Sequence, residues 1–171
     1  PFKVLGRDFW GAAPAILRMI DAARRRGVQM YLDTYTYESY GNTPTVALVP
    51  QWAIVNDDVD IGGQDGGLAR TLKSPYARAK ENLQRRLEDP GYRYRIRRDI
   101  EYEITKAGGA EGVLIVEHPN PKYVGRFLSD VAAMHQEDPV DAAIRLQMEG
   151  SAGRPGGGAY RGMNIVEADN E

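Results

Sequence analysis

The sequence predicts an α/β fold, on three observations. An amphipathic helical stretch at 12–26 runs through a glycine directly into an apolar run at 28–32. A second apolar run, 112–117, is followed by two further helical stretches. The residues from Tyr160 to Val166 then return to a strand pattern. Helix, tight turn, apolar strand and then polar residues is the rhythm of a βα-repeat protein. In such folds the residues just past a strand's C-terminal end face the active site.

In the first helix Pro14 suits an opening turn, and Ile16, Leu17, Ile20 and Ala23 recur at helical spacing. Arg24, Arg25 and Arg26 gather positive charge at the C-terminal end, where the helix dipole favours it, and Gly27 supplies the stop. Val28 to Leu32 is expected as a short strand ending at Asp33. From Tyr40 the pattern dissolves. Pro44, Pro50 and the Asp- and Gly-rich stretch 56–67 predict a long irregular crossing. Ser74-Pro75 and Asp89-Pro90 are cap-plus-proline helix starts. On the second of these helices Tyr92, Ile96, Ile100 and Ile104 form one apolar stripe, leaving Arg93, Arg95, Arg97 and Arg98 on the other faces. Gly112 to Glu117 is expected as a buried strand. A helix at 126–135 follows, with Phe127, Val131 and Met134 inward, and another runs from Asp138-Pro139 to Gly150 with Ala142, Ile144, Leu146 and Met148. The glycine-rich 151–158 lacks the Lys-Ser/Thr of a phosphate loop and is expected to be a connection.

At 171 residues the chain is long enough for one domain with a core. It opens at Pro1 rather than methionine and ends just after an apparent strand, so it is expected to be an internal piece of a larger protein. The absence of cysteine excludes a disulfide scaffold and any thiolate metal site within the chain, and fits a cytoplasmic protein. No apolar run approaches the length of a membrane span. Net charge is −2, but it runs from −2 over 1–67 through +5 over 68–106 to −5 over 107–171. Such a split steers an anion, docks the two parts on each other, or reflects solvated helix faces. Tyr92 and Tyr94 interleave with the arginines at 93–98, yet Asp99, Glu101 and Glu103 dilute that patch, and no nucleic-acid partner is expected. His118 and His135 lie far apart, and structural roles are expected for both.

Motifs add a more specific expectation. Lys3-Val4-Leu5-Gly6, Trp10-Gly11 and the helix Leu17-x-x-Ile20-x-x-Ala23-Arg24-x-x-Gly27 form a first stretch. Asp33-Thr34-Tyr35-Thr36-Tyr37 is a second. A third comprises Leu87-x-Asp89-Pro90-x-x-Arg93, Gly125-Arg126-Phe127-Leu128-x-x-Val131-Ala132 and Asp138-Pro139-x-Asp141-Ala142. In this order, and over nearly the whole chain, they resemble the N-acyl-D-amino-acid deacylases (D-aminoacylases) of the amidohydrolase superfamily.

The resemblance implies a fragment of a (β/α)8 amidohydrolase barrel with a large α/β insertion. Residues 1–40 would supply a barrel helix and strand, 41–158 a lid-like inserted segment, and 159–171 the return to the barrel. It implies hydrolysis of the amide of a small-molecule N-acyl-D-amino acid. In that family a zinc ion polarises the carbonyl and an aspartate shuttles the proton. The zinc ligands and that aspartate belong to motifs outside this chain, so no catalytic or metal-binding residue is expected within it. Two residues inherit substrate-binding roles: Lys3, beside the metal, and Tyr35, whose hydroxyl faces the substrate carboxylate. Thr36 replaces the family's proline, and an ungapped alignment puts Pro1 where a metal-binding histidine stands. Two alternatives remain: a cyclic-amide, hydantoinase-like amidohydrolase, and a non-catalytic paralogue that binds an acidic ligand.

Overall fold

A computed structural model describes residues 11–33, 39–40, 48–57, 78–150 and 161–165. Helix α1 spans Ala13–Arg25, with its proline in the first turn and Gly27 at a φ of +88°, the left-handed value that only glycine adopts without strain. Beyond it, 28–33 takes no regular secondary structure and pairs with no strand among the described residues, contrary to expectation. The Arg24 guanidinium donates from Nε and Nη2 to the Met30 carbonyl oxygen (3.2 and 2.8 Å), taking an acceptor that a sheet neighbour would use. The apolar side chains face solvent, Tyr31 at 91 % exposure.

The strands are β1 (Ser39–Tyr40), β2 (Val113–Glu117) and β3 (Arg161–Ile165). They form one antiparallel sheet in the order β1-β3-β2. Ser39 pairs with Ile165 and Tyr40 with Asn164. Along the other edge of β2, Ile115 N–H donates to Arg126 O (2.8 Å) and Gly125 N–H to Ile115 O (2.7 Å). Val113 and Ile115 are fully buried and alternate with less buried neighbours, so β2 has one core face rather than two.

Five helices pack against this sheet or one another: α2 (Gln51–Ile54), α3 (Ala79–Glu88), α4 (Pro90–Lys106) and, after β2, α5 (Leu128–His135) packed on α6 (Pro139–Glu149). The described part is thus mainly helical with a short sheet, the α/β class at its coarsest, and its strand pairs are antiparallel.

Local chemistry fixes the helix starts. Asp89 accepts from the N–H groups of Gly91 and Tyr92, and Asp138 from that of Asp141, so both cap-plus-proline starts are real. Asp130 reaches back to Phe127 N–H (2.9 Å) at the head of α5. The other proposed start, Ser74-Pro75, lies outside the described residues.

Ile96, Ile100 and Ile104 are buried as their stripe requires, whereas Tyr92 is half exposed and lies against Trp52, ring centroids 6.2 Å apart. Met134, expected inward, is 49 % exposed; Leu128, Val131 and Ala132 fill that face instead. Part of the supposed irregular crossing is core: Leu48, Val49, Ala53, Ile54 and Val55 are all buried. Two buried polar side chains of α3 hold that segment. Asn82 Nδ2 donates to Val55 O (3.2 Å) and Asn56 Oδ1 (3.2 Å), and Arg86 Nη1 donates to Val55 O (3.0 Å) while Nη2 pairs with Asp57 (2.6 Å). The orphan carbonyls beyond a one-turn helix are thereby satisfied.

Between α4 and β2 the chain passes through a single 3-10 turn, Ala110–Gly112. A Cβ on Gly112 would lie 2.0 Å from the Ala107 carbonyl oxygen. Only glycine permits that approach.

Candidate functional site

The two expected substrate-binding residues, Lys3 and Tyr35, lie outside the described residues, as do Pro1 and Thr36. The described stretch ends at Asp33, two residues before Tyr35. The Arg24–Met30 clasp sets the direction in which 28–33 leaves α1, and Asp33 ends that run exposed.

The histidines occupy one corner of the 78–150 unit and do not face one another across an open site. His118 is buried at the end of β2. Its Nδ1 accepts from Asn120 N–H (2.9 Å), so its Nε2 carries the proton and donates to Leu146 O (3.3 Å). With both ring nitrogens engaged, His118 has no lone pair for a metal. His135 ends α5 and lies 2.9 Å from the Tyr123 hydroxyl. That hydroxyl donates to Glu149 Oε2 (2.8 Å), and a tyrosine has only one proton to give, so His135 Nε2 is the donor in their contact. Arg145 grips Glu137 through Nε and Nη2 (2.8 and 2.7 Å) and reaches Glu149 as well. Burial, then the hydrogen bond to Glu149, pushes the Tyr123 hydroxyl above the ordinary tyrosine range. This network closes the 118–126 loop over α5 and α6. Its hydrogen bonds tie that loop to both helices.

A cleft of about 380 Å³ lies between α4 and α6, lined by Arg97, Glu101, Ile104, Thr105, Asp138, Pro139 and Val140. Arg97 dominates it. One guanidinium nitrogen meets Asp138 Oδ2 (2.7 Å) and the other meets Asp141, so the arginine is neutralised by the first turn of α6. Partial burial works against the charged Arg97, but those two hydrogen bonds outweigh it and raise its pKa. Burial likewise opposes the charged Asp138; the Asp141 N–H and Arg97 overcome it and lower the Asp138 pKa. Here the basic middle of the sequence docks directly on its acidic part. Arg97 has no spare charge for a substrate anion.

Zinc needs three or four converging nitrogen, oxygen or sulfur ligands. Among the described residues no group of three or more His, Asp or Glu side chains is placed to hold a metal ion, and His118 is excluded by its tautomer. The described residues therefore do not fit a zinc site. No helix among them is long and apolar enough to cross a membrane. Compared with protein-family profiles, with curated proteins and with solved structures, the chain matches none.

Sequence reasoning missed the Tyr123–His135–Glu149 cluster, because a lone tyrosine in a Pro- and Asn-containing loop gives no periodic signal. It also missed Arg97 as the inter-helix clasp. The Asp138-Pro139-x-Asp141 pattern could have pointed to a cation partner, since it places two carboxylates on one helical turn.

Proposed function

We propose that the chain is part of a metal-dependent amidohydrolase that cleaves the amide bond of N-acyl-D-amino acids, releasing the D-amino acid and a carboxylate. One observation carries this: the order and spacing of the three motif stretches, which begin at Lys3 and end at Ala142. In this reading 28–33 is a barrel strand, which supports an account of its exposed apolar side chains as groups that other barrel strands cover. The adjacency of β1 and β3 supports treating 41–158 as an excursion that leaves and returns at one place. Lys3 and Tyr35 bind the substrate carboxylate, the lysine as a point charge and the tyrosine through its hydroxyl. Zinc is held by residues outside this chain. We place the enzyme in the cytoplasm on the absence of cysteine.

The test is an assay of the parent gene product on N-acetyl-D-amino acids, with amine release followed before and after chelation. Activity that falls on chelation and returns with zinc is expected. Tyr35→Phe should then lower kcat/KM by roughly ten- to a hundredfold, the cost of a lost hydrogen bond to a charged group. A metal-replete parent that leaves every N-acyl-D-amino acid intact refutes the proposal. Pro1 favours a second reading, a paralogue that binds acidic ligands without turnover; tight binding of an N-acyl amino acid by an inactive parent would identify it.

A further inference from the structure

Among the described residues no helix or strand packs on the outward face of α4, and its composition is distinctive. Opposite the buried Ile96, Ile100 and Ile104 it exposes Tyr94 (62 %), Arg95, Arg98, Glu101 and Tyr102 (66 %). Among the described residues neither Arg95 nor Arg98 is ion-paired. Arg95 lies over the Trp52 ring (5.1 Å) and Arg98 over Tyr94 (5.8 Å), leaving their N–H edges free. Tyrosine, tryptophan and arginine are the residue types that dominate interface energetics.

The sequence of this helix is symmetric about Arg98. Arg97 mirrors Asp99, Ile96 mirrors Ile100, Arg95 mirrors Glu101, Tyr94 mirrors Tyr102 and Arg93 mirrors Glu103. Every arginine on the N-terminal side answers an acid on the C-terminal side, and isoleucine and tyrosine answer themselves. The mirrored residues are not all available: Arg97 serves Asp138 and Asp141, Asp99 accepts from the Trp52 indole, Glu103 pairs with Lys106, and Arg93 donates to the Leu87 carbonyl. Tyr94, Arg95, Glu101 and Tyr102 remain outward and mirrored.

We infer that this face is a self-association surface, on which a second copy of the chain lays its own α4 antiparallel about a two-fold axis at Arg98. Antiparallel packing sets Arg95 of each helix beside Glu101 of the other, twice per dimer, while the Arg98 of each copy at the axis lies over its own Tyr94 ring. It also opposes the two helix dipoles. Parallel packing would align like charges. One patch that is complementary to itself is what an isologous dimer requires.

The mass of the full 171-residue chain in solution, by light scattering after gel filtration, tests this directly. At low salt a dimer dissociating in the micromolar range is expected, weakening as salt is added. Arg95→Glu makes both of the mirrored outward positions, 95 and 101, acidic, and Glu101→Arg makes both basic. Each variant alone should raise the dissociation constant at least about tenfold. An equimolar mixture of the two should restore the dimer, because each variant then complements the other. That restoration also shows that both variants fold. A chain monomeric at every concentration, a dimer indifferent to both reversals, or a mixture that stays monomeric would each overturn the assignment.

Discussion

Removing the Tyr123 hydroxyl separates its polar contacts from the packing around it. Tyr123→Phe keeps the ring, which is 3 % exposed and lies edge-on to His118 and His135, and deletes the donor to Glu149 together with the acceptor of His135, an exposed side chain that water can satisfy instead. A hydrogen bond to a charged group contributes about 1.5–3 kcal/mol. The Glu149 side chain is 37 % exposed and retains Arg145, so water replaces the lost donor and the lower limit applies, about 1.5 kcal/mol. For a chain of this size that lowers Tm by roughly 3–6 °C. Thermal and urea unfolding followed by tryptophan fluorescence and circular dichroism measure both. The effect depends on pH. Because the folded-state pKa of Tyr123 is raised, its contribution is whole below the unfolded value of about 10 and is lost as pH rises through the folded value. The advantage of wild type over Tyr123→Phe should therefore be flat through neutrality and shrink in alkali. A difference below about 0.5 kcal/mol at neutral pH would show that the hydroxyl does not tie the loop to α6.

Gly112→Ala forces a Cβ against the Ala107 carbonyl and should cost about 2 kcal/mol or more, read as a lower urea midpoint or as insoluble protein; near-wild-type stability would contradict the described turn. Asp89→Ala removes the cap of α4 and should cost about 1 kcal/mol by the same measurement. Arg97→Ala separates α6 from α4 at a half-exposed clasp, which limits the loss to about 1 kcal/mol at neutral pH. The Asp138 pKa is lowered in the fold, so that loss should be constant above about pH 4 and disappear as pH falls through the folded value. An advantage that persists in strong acid would mean that Asp138 is not the partner that matters.

Helices with explicit start and stop chemistry were legible. Pro14 and Gly27 bracket α1, and Asp89-Pro90 and Asp138-Pro139 open α4 and α6, because capping is a local property that three or four residues decide. Burial was legible only where a whole face repeats, as at Ile96, Ile100 and Ile104. Val28 to Leu32 shows the limit. An apolar run states that burial is favourable but not which edge will provide it, and no described strand takes 28–32 as a neighbour. Segment 48–55 escaped notice for the opposite reason. Its contribution to the core comes from one short turn after Pro50, too brief for periodicity, and it is held by Asn82 and Arg86, polar residues whose burial depends on carbonyls many positions away. Of the candidate site, the sequence named Lys3 and Tyr35 through motif likeness alone, and both fall beyond the described residues. The histidines met the structural roles expected of them for reasons no sequence displays: a tautomer fixed by Asn120 and a proton given by Tyr123 to Glu149.

The pairing of Tyr40 with Asn164 makes the two ends of a long stretch of sequence immediate neighbours. Two positions joined by one rung of a ladder have Cα atoms only about 5 Å apart, a gap that a two-residue hairpin closes. Length can therefore change within that interval without parting these two rungs, provided β2, which lies inside it and forms the longer ladder with β3, is kept.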